Sequence, residues 1–81
     1  MRYPNPINFY IQLGNRIRAI RLQQKLSQSE LGYRAELDKS VIQRLEMART
    51  NATIKTLLKI ANAFDITLSE LCDIEAIENK K

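Results

Sequence analysis

Apolar residues recur at helical spacing in five separate runs, and helix-capping residues stand between the runs. Pro4 and Pro6 disfavour helix in the residues before them, so residues 1–7 read as an extended arm. Its apolar members, Tyr3 and Ile7, are placed to pack on the body or meet a partner. A first helix is expected from about Asn8 to about Gln24. Leu13, Ile17 and Ile20, joined by Ile11, should face the core, with Arg16, Arg18 and Gln23 pointing elsewhere. A second helix starts where Ser27 caps it and Glu30, three residues on, completes a capping box. Leu31 and Ala35 form its inner stripe. Gly32 lies inside this helix at a cost of about 1 kcal/mol relative to alanine, which points to close approach by the helix that follows.

Asp38 is the next candidate N-cap. A third helix then runs from Lys39 to about Met47, with Ile42 and Leu45 inward and Val41 near the edge. Lys39, Ser40, Gln43 and Arg44 are left on the opposite side. A fourth helix starts near Thr53, with Ile54, Leu57, Leu58, Ala61 and Phe64 as its apolar face. Thr67 and Glu70 form a second capping box and open a fifth helix whose apolar side is Leu68, Leu71 and Cys72. From Asp73 the chain turns acidic, although Ile74 and Ile77 keep a weak helical beat. The last few residues are expected to fray. The organisation expected is thus an arm (1–7), one all-α domain (8–73) and an acidic tail (74–81). Two short helices joined by a tight turn over Ser27–Glu46, with polar side chains projecting from the second, match how a helix-turn-helix presents residues to the DNA major groove.

Charge strengthens this reading. The net charge is +4, unevenly distributed. Residues 1–59 carry eleven Lys/Arg against four Asp/Glu, and residues 60–81 carry two against five. A basic body with an acidic tail favours binding a polyanion through one face, while charge alone is equally compatible with an ordinary solvated surface. Eighty-one residues suggest one small domain with limited stability to spare. No run of about 18 apolar residues predicts a membrane span, and MRYPNPINFY has no apolar signal core. A single cysteine, Cys72, allows no internal disulfide and suits a reducing cytosol. It reads most simply as a small core or interface residue. With no histidine and one thiol, neither zinc nor another metal is expected. Nucleophile–base pairs and glycine-rich phosphate loops are likewise missing, so neither an enzyme nor a small-molecule substrate is expected, and no cofactor.

The blocks LGNRIRAIR (Leu13–Arg21), LSQSELGYRAELDKSVIQRLE (Leu26–Glu46) and TIKTLLKIANAFDITLSEL (Thr53–Leu71) resemble the phage-repressor helix-turn-helix family, also called Xre or Cro-like. The resemblance implies a compact five-helix, lambda-repressor-like DNA-binding fold, with the helix-turn-helix at the second and third helices. It implies a phosphate contact for Gln28, where helix N-terminal amides and partial positive charge also favour an anion. It puts Lys39, Ser40 and Arg44 at base-reading positions and Gln43 at a neighbouring position that meets bases or phosphate. Arg44 is the candidate for bidentate recognition of guanine O6 and N7. Arg49, Thr50 and Asn51 fall where members grip the backbone, with Lys55 nearby. Arg21 and Glu46 fall at a pair that forms a structural salt bridge in many members. Three turn positions usually held by glycine are Lys25, Glu36 and Ala48 here, and Ala52 stands where proline is common.

The same resemblance implies a homodimer reading two half-sites of a palindromic operator in double-stranded DNA, about 34 Å apart. Leu68, Cys72, Ile74 and Ile77 are expected at its interface, supported by Phe64 and Ile66. It also implies a cytoplasmic, nucleoid-associated regulator of bacterial, phage or plasmid origin. Phage or plasmid repressors, restriction-modification controllers and antitoxins all remain open. So does a module of the same fold that binds protein instead of reading DNA, such as an antitoxin or a transcriptional bridging factor.

Overall fold

A computed structural model describes residues 6–74, and all regular elements among them are helices. α1 spans Pro6–Gln23. It starts two residues before the expected Asn8, because proline's fixed φ and missing N–H suit the first helical position. Pro6 and Ile7 therefore belong to the helix and not to an arm; residues 1–5 lie outside the described residues. α2 spans Gln28–Ala35, and Ser27 and Glu30 make the reciprocal capping box. α3 spans Lys39–Glu46. Asp38 occupies its N-cap, but no side-chain capping bond forms there. α4 spans Ile54–Phe64, with the Thr53 hydroxyl accepting from the Thr56 amide. α5 is one turn, Leu68–Leu71, opened by the capping box of Thr67 and Glu70. It ends at Leu71, with Cys72 as its C-cap, so Ile74 does not continue the helix.

α3 packs between α1 and α2, α4 rests on α2, and α5 closes against α4. The core is Leu13, Ile17 and Ile20 from α1, Leu26 before α2, Leu31 and Ala35 from α2, and Ile42 and Leu45 from α3. Leu57, Ile60, Ala61 and Phe64 from α4 and Leu71 from α5 complete it. Burying each large aliphatic side chain contributes about 1.5–3 kcal/mol. Three expectations for the core are corrected. Ile11, Ile54 and Leu58 are exposed, Ile54 by 63%. On α4 the neighbouring helices cover a stripe through Leu57, Ile60, Ala61 and Phe64, which leaves Ile54 and Leu58 on its flank and brings in Ile60 instead.

Two glycines admit the close helix contacts. A Cβ on Gly32 would lie 2.7 Å from the Leu37 carbonyl oxygen, so the turn into α3 sits directly on α2. A Cβ on Gly14 would collide with the Leu45 carbonyl oxygen and stand 2.9 Å from that of Glu46, so α1 meets the last turn of α3 backbone to backbone. Lys25, Glu36 and Ala48 all adopt left-handed φ near 60°. The chain keeps the turn geometry without glycine, at roughly 1 kcal/mol or more for each. Asp65, the C-cap of α4, is a fourth such residue; aspartate tolerates this region better than most. Gln24 fastens that end by donating from Nε2 to the Phe64 carbonyl at 2.9 Å. Among the described residues no helix is long and apolar enough to cross a membrane.

Candidate nucleic-acid interface

α3 has two chemically opposite faces. Ile42 and Leu45 are buried, while Lys39, Ser40, Gln43 and Arg44 are all exposed on the other side. Register decides this for three of them: with Ile42 and Leu45, at i and i+3, committed to the core, Ser40, Gln43 and Arg44, at i−2, i+1 and i+2, are turned outward, while Lys39, at i−3, is exposed on the flank of the first turn. The corner that aims the helix is short. Glu36 takes φ 59° as the C-cap of α2, and the Leu37 amide donates to the Gly32 carbonyl at 2.8 Å. Close packing at Gly32 then sets the distance between α2 and the start of α3.

The other end of α3 is fixed by an ion pair. Arg21 Nε donates to Glu46 Oε2 at 2.7 Å and Nη2 donates to Oε1 at 3.1 Å. A third Arg21 donor, Nη1, meets the Leu26 carbonyl at 2.9 Å. The side chains are 10% and 3% exposed. The bidentate geometry and the additional carbonyl offset desolvation that an ion pair alone does not fully recover. The expected structural link between α1 and the end of α3 is therefore present. Glu46 Oε1 also accepts from Gln28 Nε2 at 3.2 Å. Gln28 is thus half-buried against the ion pair at the first turn of α2, a link with no signal in the linear sequence.

Beyond α3 the chain turns at Ala48, and the Arg49 amide donates to the Arg44 carbonyl at 2.8 Å. Arg49 and Asn51 are exposed, Thr50 is half-buried, and its hydroxyl lies 3.4 Å from the Asn51 carbonyl. Lys55 is exposed in the first turn of α4. The residues marked out for DNA contact thus lie on the first turn of α2, the outer face of α3 and the loop after it. Side chains of this kind offer cations and amide or hydroxyl groups to phosphate oxygens and base edges. Among the described residues, no cluster of His, Cys, Asp or Glu could hold a metal ion.

The expected second interface fares differently. Ile66, Leu68, Cys72 and Ile74 are half-buried and pack partly on the core. Phe64 is corrected: at 2% exposure its ring fills the core of the single chain and has no surface to lend a partner. Ile77 lies outside the described residues. Partial burial pushes the Cys72 thiol above its usual pKa, which disfavours the reactive thiolate.

The chain belongs to the Helix-turn-helix family (HTH_3), whose profile matches residues 17–71, over half of the sequence. It is similar to the restriction-modification controller protein C.AhdI from Aeromonas hydrophila. That structure superposes with TM-score 0.75 at 34% identity, over 76% of this chain and 94% of the other. The P22 c2 repressor, solved with a synthetic operator, superposes with TM-score 0.67 at 29% identity, over 73% of this chain and 89% of that one. In sequence, the immunity repressor protein of Bacillus phage phi105 is 35% identical over 65 residues. That match covers 80% of this chain and 45% of the repressor, so the chain spans less than half of that relative's length.

Proposed function

We propose that this protein is a sequence-specific regulator of transcription that binds double-stranded DNA, acts as a repressor and controls its own promoter among its targets. The carrying observation is the outer face of α3, where Lys39, Ser40, Gln43 and Arg44 are exposed together on a helix seated by the core. In this reading α3 lies in the major groove. Arg44 reads a guanine through O6 and N7, Lys39 and Ser40 read neighbouring bases, and Gln43 meets a base or a phosphate. Gln28, Arg49, Thr50 and Asn51 hold the backbone on either side and set the register. Family membership supports DNA as the partner, and the repressors and controller protein among the relatives support the regulatory role.

One domain of this size covers only a few base pairs, so the working unit in this proposal is a homodimer on a palindrome. Half-buried Ile66, Leu68, Cys72 and Ile74 supply its interface, together with Ile77. Acidic residues cluster at that end, which suits a surface turned away from phosphates. A dimer seated over a promoter excludes polymerase. The protein acts in the cytoplasm, on the nucleoid, without a cofactor, and catalyses no reaction.

The test is fluorescence anisotropy with duplex DNA from upstream of the protein's own reading frame, against scrambled duplex, at about 150 mM salt because phosphate contacts make affinity salt-dependent. Nanomolar binding with a preference of about 1000-fold is expected. Equal micromolar binding to both duplexes would remove the autoregulatory reading and favour a protein partner for the basic face.

A further inference from the structure

Glu46 carries more than the ion pair. Its Oε1 accepts from Gln28 Nε2 at 3.2 Å while both of its oxygens accept from Arg21. With its side chain 3% exposed and held by a bidentate guanidinium, it stands beside Gln28 as an acceptor without a proton to give. An amide has two different ends, a carbonyl that accepts and an NH2 that donates twice. Against a carboxylate only the NH2 end is favourable. Glu46 therefore fixes which way round the Gln28 amide sits. One N–H is taken by Glu46, and the second is left for another acceptor.

We propose that Glu46 is a positioning residue for DNA binding, which orients the Gln28 amide so that its remaining N–H meets a backbone phosphate. This rests on the DNA-binding reading above. Arg21 completes the relay. Its charge offsets that of Glu46, which would otherwise repel the phosphate that Gln28 is to meet. The chain Arg21–Glu46–Gln28 thus ties α1, the last turn of α3 and the first turn of α2 into one unit. Reading helix and phosphate anchor are kept in a fixed relation before DNA arrives, which lowers the ordering cost of binding.

The proposal makes a prediction opposite in sign to simple electrostatics. Glu46→Gln removes a negative charge near DNA and on charge alone should tighten binding. It also replaces an obligate acceptor by a group that donates as well, so the Gln28 amide is no longer held one way round. Binding should therefore weaken about three- to tenfold, the range of one lost hydrogen bond. The experiment is a double-mutant cycle with Gln28→Ala, Glu46→Gln and the double variant. A mixed-sequence 30-base-pair duplex at about 50 mM salt serves as probe, since a phosphate contact does not depend on sequence. Glu46→Gln should weaken binding in the native background and not in Gln28→Ala. Equal weakening in both backgrounds assigns Glu46 a purely structural role and overturns the proposal.

NMR of the DNA-free protein covers the case in which Glu46→Gln fails to fold. The Gln28 side-chain amide proton bonded to Glu46 should lie downfield of its position in free glutamine and exchange more slowly than its geminal partner. Both protons at free-glutamine shifts with fast exchange overturn the proposal irrespective of DNA. A native protein that shows this amide signature yet binds neither this probe nor its own upstream duplex removes the DNA-binding reading, and the proposal with it.

Discussion

α3 is fastened at both ends by backbone contact, whereas α5 hangs on one buried side chain and one long polar reach. At the start of α3, Gly32 lets the Leu37 carbonyl lie against α2; at its end, Gly14 lets the carbonyls of Leu45 and Glu46 lie against α1. The Arg21–Glu46 pair then locks that second seam. α5 has four residues, one of them fully buried, Leu71, and Arg16 Nη2 donating to the Glu70 carbonyl at 2.7 Å. Its neighbours Ile66, Leu68, Cys72 and Ile74 keep apolar surface in reach of solvent. Placement is fixed where side chains are proposed to meet base edges, and cover is incomplete where a second chain is proposed to dock.

That contrast can be broken most severely at the ion pair. Arg21→Ala leaves the Glu46 carboxylate buried without its counter-charge and should cost about 3–5 kcal/mol, read as a drop in denaturant midpoint at unchanged slope. A loss below about 1 kcal/mol would mean that the pair behaves like an exposed bridge. Gly14→Ala forces a methyl group into the α1–α3 seam and should cost about 2–3 kcal/mol. For a domain of this size that lowers Tm by more than about 8 °C. An unchanged Tm would show that the backbones do not meet there.

Ala48→Gly works in the other direction. It relieves a left-handed residue with no polar group to compensate, so chemical denaturation should show a gain of up to about 1 kcal/mol, and Asp65→Gly a smaller one. The smallest effect is that of pH. Glu30 and Glu70 are held below the usual glutamate pKa, first by the backbone amides of Ser27 and Thr67 and then by their hydroxyls. A lowered folded pKa gives stability that is complete above the unfolded value and is lost as pH falls through the folded one. Thermal melts should therefore be flat through neutral pH and decline below about pH 4.5. In Glu30→Gln and Glu70→Gln together, that acid decline should be shallower.

Several of these features are legible in the sequence because they are local. Ser27 with Glu30 and Thr67 with Glu70 announce their helices through spacing alone, and so does the outward quartet of α3. Gly32 can be read as a close approach because it interrupts a short helix beside its own turn. Gly14 cannot, since the carbonyls it admits come from α3, far along the chain. The same holds for the Gln28–Glu46 bond. Phe64 is legible as part of the apolar stripe of α4, but that its ring is wholly used by the chain's own core, with nothing left for a partner, depends on how α4 rolls against its neighbours. Periodicity finds an apolar stripe on α4 but not its width, which is why Ile54 and Leu58 seem from sequence to belong to the core and Ile60 goes unmarked. Left-handed turns at Lys25, Glu36 and Ala48 follow from family resemblance alone, because none of the three residues favours that conformation.

The central claim is that α3 reads bases, and Arg44→Ala tests it most directly. Affinity is measured by anisotropy for the native and substituted proteins, on the upstream duplex and on scrambled DNA at one salt concentration. The account predicts a loss of about 1–3 kcal/mol on the upstream duplex, roughly 5- to 150-fold, with a much smaller loss on scrambled DNA and an unchanged Tm. Equal loss on both duplexes would contradict it and reduce Arg44 to a phosphate contact.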